Sequence, residues 1–502
     1  MMNRQYISLL ALIGMIAAPM IFQKCGPAPA PPLPPNIQDM CFCPDSAKKD
    51  SFCSMIPKII AIPDSLVNEG YRAGFDSLRQ PYFDIFSWQS FVALNWPADG
   101  NGNPIPGAFS KDYTSPRVWE HYADPDTVFT KPVSFVPPAV RSGAAANKKI
   151  LYMTSKFSNA DSLKFDNPSL LVESDGNALI DKNLNYAVFE ERINPDELTY
   201  INKNNLNTQA GQVKWIDSLG HTVSLPQGSK KNNTTGAIEI KASWRILIRG
   251  TDSMATYYHQ PAIIYIDSAY TTNGKPLTVE AEVGLVGLHI IHKTEQLFGQ
   301  FMVWSTFEHI DNVPDNLQKD QTAPPRKEYS FYDPNCIGCP VNTPPAPKSG
   351  DKVVKWSPTP PYAQDYATTV QGEQGGKSFG TQVVRLYPVY YYTELVNDVW
   401  RDKLKGTVWE NYRLIGSQWG GKVDGPPFDT VNAPQFLANT TMETYIQGNA
   451  SCINCHKFAV IAGQKPKAAT KYNSDFSFLF HHATVKSQAI LPKKDSTVTK
   501  GK

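Results

Sequence analysis

The sequence predicts an α+β fold: a β-rich, antiparallel body followed by a short helical C-terminal segment. Three observations predict it. The chain carries 41 Pro and 32 Gly with 11% aromatic residues, a mixture suited to strands, turns and long loops. Four runs rich in Val, Ile, Tyr and Trp follow one another: AIEIKASWRILI (237–248), PAIIYIDS, LTVEAEVGLVGLHIIHK and FMVWSTFEHI. Near the C-terminus, FLANTTMETYIQGNASCINCHKFA holds the capping-box pair Thr440 and Glu443, which predicts a short entry helix.

The N-terminus reads as an export signal over residues 1–24. Arg4 supplies the positive end, and an apolar run, YISLLALIGMIAAPMIF, occupies 6–22. Cys25 lies directly behind it, where a lipoprotein signal places its lipidated cysteine. A Pro- and Cys-rich tether follows over 25–57, opening with CGPAPAPPLPP. The body is expected over 58–430 and a haem-binding segment with a polar tail over 431–502. Within the body, residues 66–97 read as short helices broken at Pro81 and carry an aromatic cluster of Trp88, Phe91, Leu94 and Trp96. NYAVFE, QVKWI and QVVRLYPVYY read as further strands, and TELVNDVWRDKLKG as a helix ended by Gly406. The Trp residues 88, 96, 119, 244 and 304 read as core.

Chemistry concentrates at SCINCHKFA (451–459), which spells C-x-x-C-H with Cys452, Cys455 and His456. One helical turn puts positions i and i+3 on one face, at the spacing of two vinyl groups on adjacent edges of a porphyrin. The following histidine then lies under the iron. Chance yields such a pattern in roughly 1 of 400 shuffled chains of this composition. The other readings are a thioredoxin-like pair or half of a zinc site completed by Cys336 and Cys339 of CIGCP; that second pair is also a disulfide candidate.

On these residues the chain resembles the c-type cytochromes, with FVALNWP, IKASWR, GLVGLHIIHK and WSTFEHIDNVP resembling large bacterial single-haem proteins of that family. The resemblance implies a cytochrome c-like helical haem segment and one covalent haem c on Cys452 and Cys455. His456 is then the proximal iron ligand. The chain lacks a Met after Cys455, so the distal ligand comes from elsewhere or the iron's far face is open. The candidates are His481, His482, His289, His309 and Met442, with Met302 as a further one. His289 and His292 sit three apart, and a strand sends such positions to opposite faces. Glu308, His309 and Asp311 are candidate acid–base groups, and Arg245 and Arg385 candidate anion contacts.

The implied function is electron transfer outside the cytoplasm, at the periplasm or the outer membrane. A redox partner protein or small-molecule donor or acceptor, and a membrane reached through the lipid on Cys25, are the expected partners. A haem oxidoreductase acting on a small molecule such as peroxide, and a scaffold with structural haem, are the alternatives. A net charge of +2 gives no field for nucleic acid. GEQGG and GSQWGG lack the order of a dinucleotide loop, and neither G-x-S-x-G nor H-E-x-x-H occurs.

Overall fold

A seven-stranded mixed sheet organises the protein. The structure is a computed structural model that describes residues 52–63, 79–110, 112, 114–129, 148–152, 177–296, 299–315, 328–351, 353–370, 376–422, 436–467 and 470–483. These belong to one compact unit, Leu33–Lys502; the other unit, Met1–Pro32, lies outside the described residues, and with it the expected signal and Cys25. The strands are β1 (Lys149–Tyr152), β2 (Val188–Ile193), β3 (Ile238–Leu247), β4 (His259–Ile266), β5 (Leu277–Gln296), β6 (Gly299–His309), a separate small pair β7 (Thr368–Val370) and β8 (Lys377–Phe379), and β9 (Tyr412–Lys422). The described helices are α1 (Gln80–Leu94), α2 (Pro125–Val128), α3 (Pro195–Lys203), α4 (Gln209–Val213), α5 (Tyr391–Lys403) and α6 (Cys452–His456).

β5 is the spine. Its first half pairs with β4 and its second half with β6, while β3 runs alongside both. β2 closes one edge on β3, and β9 extends the sheet beyond β6. All these pairs are antiparallel except β1 on β4, which is parallel, so the expected wholly antiparallel sheet is corrected to a mixed one. One residue is bulged out of β5 opposite Ser243 and Trp244, and another out of β9 opposite Thr306 and Phe307.

β3 shows why the sheet has two different faces. Ile238, Ile240, Ala242, Trp244 and Ile246 alternate into the largest apolar core. The intervening Glu239, Lys241, Ser243 and Arg245 are buried too, and each is polar. Register carries this division across the sheet. Glu239 lies opposite Ile193 and Ile291, Lys241 opposite Glu191 and His289, and Ser243 opposite Gly287. Continued through β5, the same face takes in Lys293, Met302, Trp304, Thr306 and Glu308.

The apolar face is covered by α1, buried almost all round. Trp88 meets Phe307 edge-on, Ser87 Oγ lies 2.7 Å from Ser305 Oγ, and Phe86 packs on His292. Pro81 opens α1 rather than breaking a helix, because a first-turn proline gives up only an amide that has no partner in any case. α5 backs α1: Trp400 stacks on Trp88, and Asn397 Oδ1 accepts from the Trp88 indole at 3.0 Å and from the Leu414 amide. The five Trp residues read as core are all buried.

The polar face is covered by the C-terminal stretch 437–483, which is mostly irregular. Its α-helix is five residues long, so the expected helical, cytochrome c-like segment is corrected. The entry helix is also absent. Glu443 Oε2 accepts from the Asn439 amide rather than capping Thr440, and the chain turns through 439–446. QVKWI falls in α4 and the wider helical turn Lys214–Ser218, where Thr208 caps the start by accepting from the Gly211 amide. QVVRLYPVYY runs without forming a strand, and its amides go to loop acceptors such as the Phe331 carbonyl.

Candidate functional site

The C-terminal stretch is stitched to the polar face residue by residue. Asn439 Nδ2 donates to Thr306 Oγ1 and to the Phe307 carbonyl, both at 3.0 Å. The Thr440 amide and hydroxyl donate to the Glu308 carboxylate at 2.6 and 2.8 Å, and Thr441 Oγ1 lies 2.5 Å from Ser243 Oγ. Gly287 is required beneath this turn, since a Cβ there meets Thr441 Oγ1, Ser243 Oγ and Asn439 Oδ1. These bonds lead the chain to Ser451, whose hydroxyl contacts Gln418 of β9 and caps α6 by accepting from the Asn454 amide.

α6 places Cys452 and Cys455 one turn apart, both half-buried and neither in a disulfide. Ile453 points inward and joins Ile291, Met302, Trp304, Ile461, Leu479 and Phe480 in an apolar cluster. His456 is 9% exposed. Its Nδ1 lies 2.7 Å from the Phe476 carbonyl, which only accepts, so Nδ1 carries the proton and Nε2 is the basic nitrogen. The ring packs on Trp304 and Phe478.

Asp475 and Phe476, which hold His456, are left-handed, with φ of 55° and 69°. Each costs roughly 1 kcal/mol in a residue with a Cβ. Three contacts keep them there: Asp475 pairs with Lys293 of β5, Asp475 Oδ2 accepts from the Leu225 amide at 2.7 Å, and Phe476 lies edge-on to Trp304.

Beneath this turn lie Glu239 of β3 and Glu197 of α3, both fully enclosed. Both Glu197 oxygens and Glu239 Oε1 lack a hydrogen-bond donor. Burial pushes the Glu239 carboxyl up to about 7, against hydrogen bonds from Ser477 and Glu197 that pull it down. Burial, then repulsion from Glu239, pushes Glu197 well above the carboxylate range. Sequence reasoning misses this pair. Its one signal is Glu239 in a strand buried at every position; its partner comes from a helix earlier in the chain.

Each expected distal group has surroundings of its own. His481 Nε2 has no hydrogen-bond partner, and burial pulls its pKa down to about 4. His482 pairs with Glu191 at 3.3 Å, and His289 lies 3.4 Å from Glu443. His292 is on the opposite face from His289 and contacts the Thr235 carbonyl at 2.8 Å. His309 has both ring nitrogens on backbone, Nε2 at the Thr256 carbonyl and Nδ1 at the Asp311 amide. Met442 belongs to a separate cluster with Val286, Phe331 and Val383, while Met302 packs beside Ile453. Glu308 pairs with Arg385 at 2.5 Å, and Arg245 with Asp181 and Asp252 at 3.1 and 2.9 Å, so these groups serve internal ion pairs rather than acid–base work or an outside anion. Cys336 and Cys339 are joined in a disulfide and are not available to a shared zinc site.

No protein-family model, curated protein or solved structure matches the chain. Among the described residues no group of three or more His, Cys, Asp or Glu side chains is arranged to hold a metal ion. No described helix is long and apolar enough to cross a membrane. With the mixed sheet and irregular C-terminal stretch, these findings overturn the expected c-type cytochrome, its haem c, and the electron-transfer, haem-oxidoreductase and haem-scaffold functions that rested on it. The protein is an α+β domain with a seven-stranded mixed sheet, on whose polar face sits a pair of cysteines outside any disulfide, next to a buried histidine.

Proposed function

We propose that Cys452 and Cys455 form a dithiol that exchanges with the disulfide of a partner protein or small molecule. The observation that carries this reading is the pair itself: two half-buried cysteines one helical turn apart, neither joined in a disulfide. The same spacing at Cys336 and Cys339 has a Cα–Cα distance of 5.6 Å and is bonded, so a C-x-x-C loop closes on this chain. In the exchange, one thiolate attacks a sulfur of the partner's disulfide and forms a mixed disulfide. The second thiolate then attacks the chain's own sulfur, forming the Cys452–Cys455 bond and releasing the partner as a dithiol. Two electrons and two protons pass to the partner. The basic Nε2 of His456 stands next in sequence to accept a thiol proton. The cluster around Ile453 packs the helix that carries both sulfurs.

An exported location supports the same reading. Arg4, the apolar run 6–22 and Cys25 have the order of a lipoprotein signal, and the bonded Cys336–Cys339 pair and Cys53 suit an oxidising compartment. In this reading a lipid on Cys25 holds the body near a membrane.

The test is differential alkylation of the exported full-length protein, followed by peptide mass spectrometry and titration against a dithiol–disulfide buffer. The expected result is two alkylatable thiols at 452 and 455 that convert together to an internal disulfide. The transition has a two-electron slope of about 30 mV per tenfold change in buffer ratio. Sulfurs blocked by another covalent group, or oxidation that never links 452 to 455, overturn it. For location, Cys25→Ser is expected to release the protein from membranes; full retention refutes the lipid anchor.

A further inference from the structure

Glu197 and Glu239 have no local reason to be where they are. A buried carboxylate needs donors, and here three of the four oxygens have none. With both groups ionised, two charges face each other without solvent. With one proton, Glu197 donates to Glu239, and the arrangement becomes a hydrogen bond. The groups around the pair reinforce this. From the C-terminal stretch come Asp475, whose charge opposes ionisation, and Ser477, which hydrogen-bonds Glu239. From β5 comes Lys293, already paired with Asp475. From β2 comes Glu191, which faces Lys241 of β3 and His482. From α3 come Tyr200, whose hydroxyl accepts from the Ser224 amide, and Asp196, which accepts from the Gly236 amide.

We propose that Glu197 and Glu239 share one proton, and that this proton holds the left-handed Asp475–Phe476 turn, and through the Phe476 carbonyl the imidazole of His456, in position. Glu239 grips the turn from below through Ser477, and Lys293 grips it through Asp475. Losing the proton places a new charge under Asp475 and draws Lys293 towards the pair. The turn then loses part of its tie, and its two left-handed residues relax. His456 loses the acceptor that orients it. The consequence for thiol chemistry rests on the dithiol reading of Cys452 and Cys455; the proton-held turn does not. A carboxyl raised in the folded state is protonated there after the unfolded chain has ionised. The stabilisation is therefore complete below about pH 4.5 and is lost as pH rises through about 7.

The experiment is amide hydrogen exchange of the full chain across about pH 5 to about pH 9, corrected for intrinsic rates, with alkylation of Cys455 followed in parallel. Protection of residues 472–480 is expected to fall about tenfold through neutral pH, the equivalent of one pKa unit. Glu239→Gln is expected to remove that step. Asp475→Asn is expected to move it to lower pH, because the charge that opposes ionisation is gone. Should Glu239→Gln fail to fold, Asp475→Asn decides alone. Protection that is flat with pH in the wild type, a step that survives Glu239→Gln, or one that Asp475→Asn leaves unmoved overturns the proposal. An exchange step without any change at Cys455 upholds the proton-held turn and counts against the dithiol reading instead.

Discussion

Glu308 is the post on which the C-terminal stretch hangs, and truncating it should cost more stability than any single cysteine change. Its side chain is 1% exposed on β6. One oxygen accepts from the Thr440 amide at 2.6 Å; the other accepts from the Thr440 hydroxyl at 2.8 Å and from Arg385 at 2.5 Å. Arg385 is itself 3% exposed, and its remaining acidic neighbour, Asp315, lies 3.5 Å away with a half-exposed side chain. Glu308→Ala therefore leaves a buried guanidinium nearly uncompensated, at a cost of about 3–5 kcal/mol. Stranding the Thr440 amide overlaps with this term rather than adding to it in full. Glu308→Gln keeps one acceptor oxygen but loses the charge and turns an NH2 towards the remaining donors, so about 2 kcal/mol is expected. The double variant Glu308→Leu/Arg385→Met removes both charges and should sit within about 2 kcal/mol of the wild type. Urea unfolding followed by Trp fluorescence measures all three under one condition. A Glu308→Ala loss below about 1 kcal/mol, or a double variant as damaged as the single one, refutes the argument that a buried charge is being held in balance.

Two further outcomes follow from the same physics. Asp84 of α1 is enclosed; burial pushes its carboxyl up to about 6 despite hydrogen bonds from Ser417, Thr393 and Gln80. Its folded pKa is raised, so its contribution is complete below about pH 3.8 and declines as pH climbs through about 6. Asp84→Asn should flatten stability across that window by roughly 3 kcal/mol, read from denaturant midpoints at each end; an unchanged slope counts against it. Gly236 has φ of 90°, and a Cβ there runs into the Gly228 amide and the Lys293 carbonyl. Gly236→Ala should cost about 2 kcal/mol or more and loosen the Lys293–Asp475 pair, and a neutral result shows that the backbone there can shift.

Particular elements show which parts of the fold are legible in the residues alone. AIEIKASWRILI declares β3 because a two-residue period is a property of one short segment, and TELVNDVWRDKLKG declares α5 for the same local reason. Pro81 is legible as a signal but ambiguous in sense: the residue that ends a helix from inside also starts one from its first turn. QVKWI alternates like a strand, yet Thr208 caps a helix through it. The C-x-x-C-H spacing points to a haem chemistry that the fold does not bear out, since a spacing within one helical turn says nothing about what converges from elsewhere.

Local periods and spacings are what the chain's order of residues settles unaided: that β3 is a strand, that α5 is a helix, and that Cys452 and Cys455 share one helical turn. Tertiary structure alone decided that β1 enters the sheet parallel, that α1 covers one face, and that an irregular stretch covers the other. It also decided that Glu197 and Glu239 meet under Asp475. The physical reason is that periodicity is set by bonds between neighbours, whereas these outcomes depend on which distant groups can satisfy one another's charges and hydrogen bonds once water is excluded.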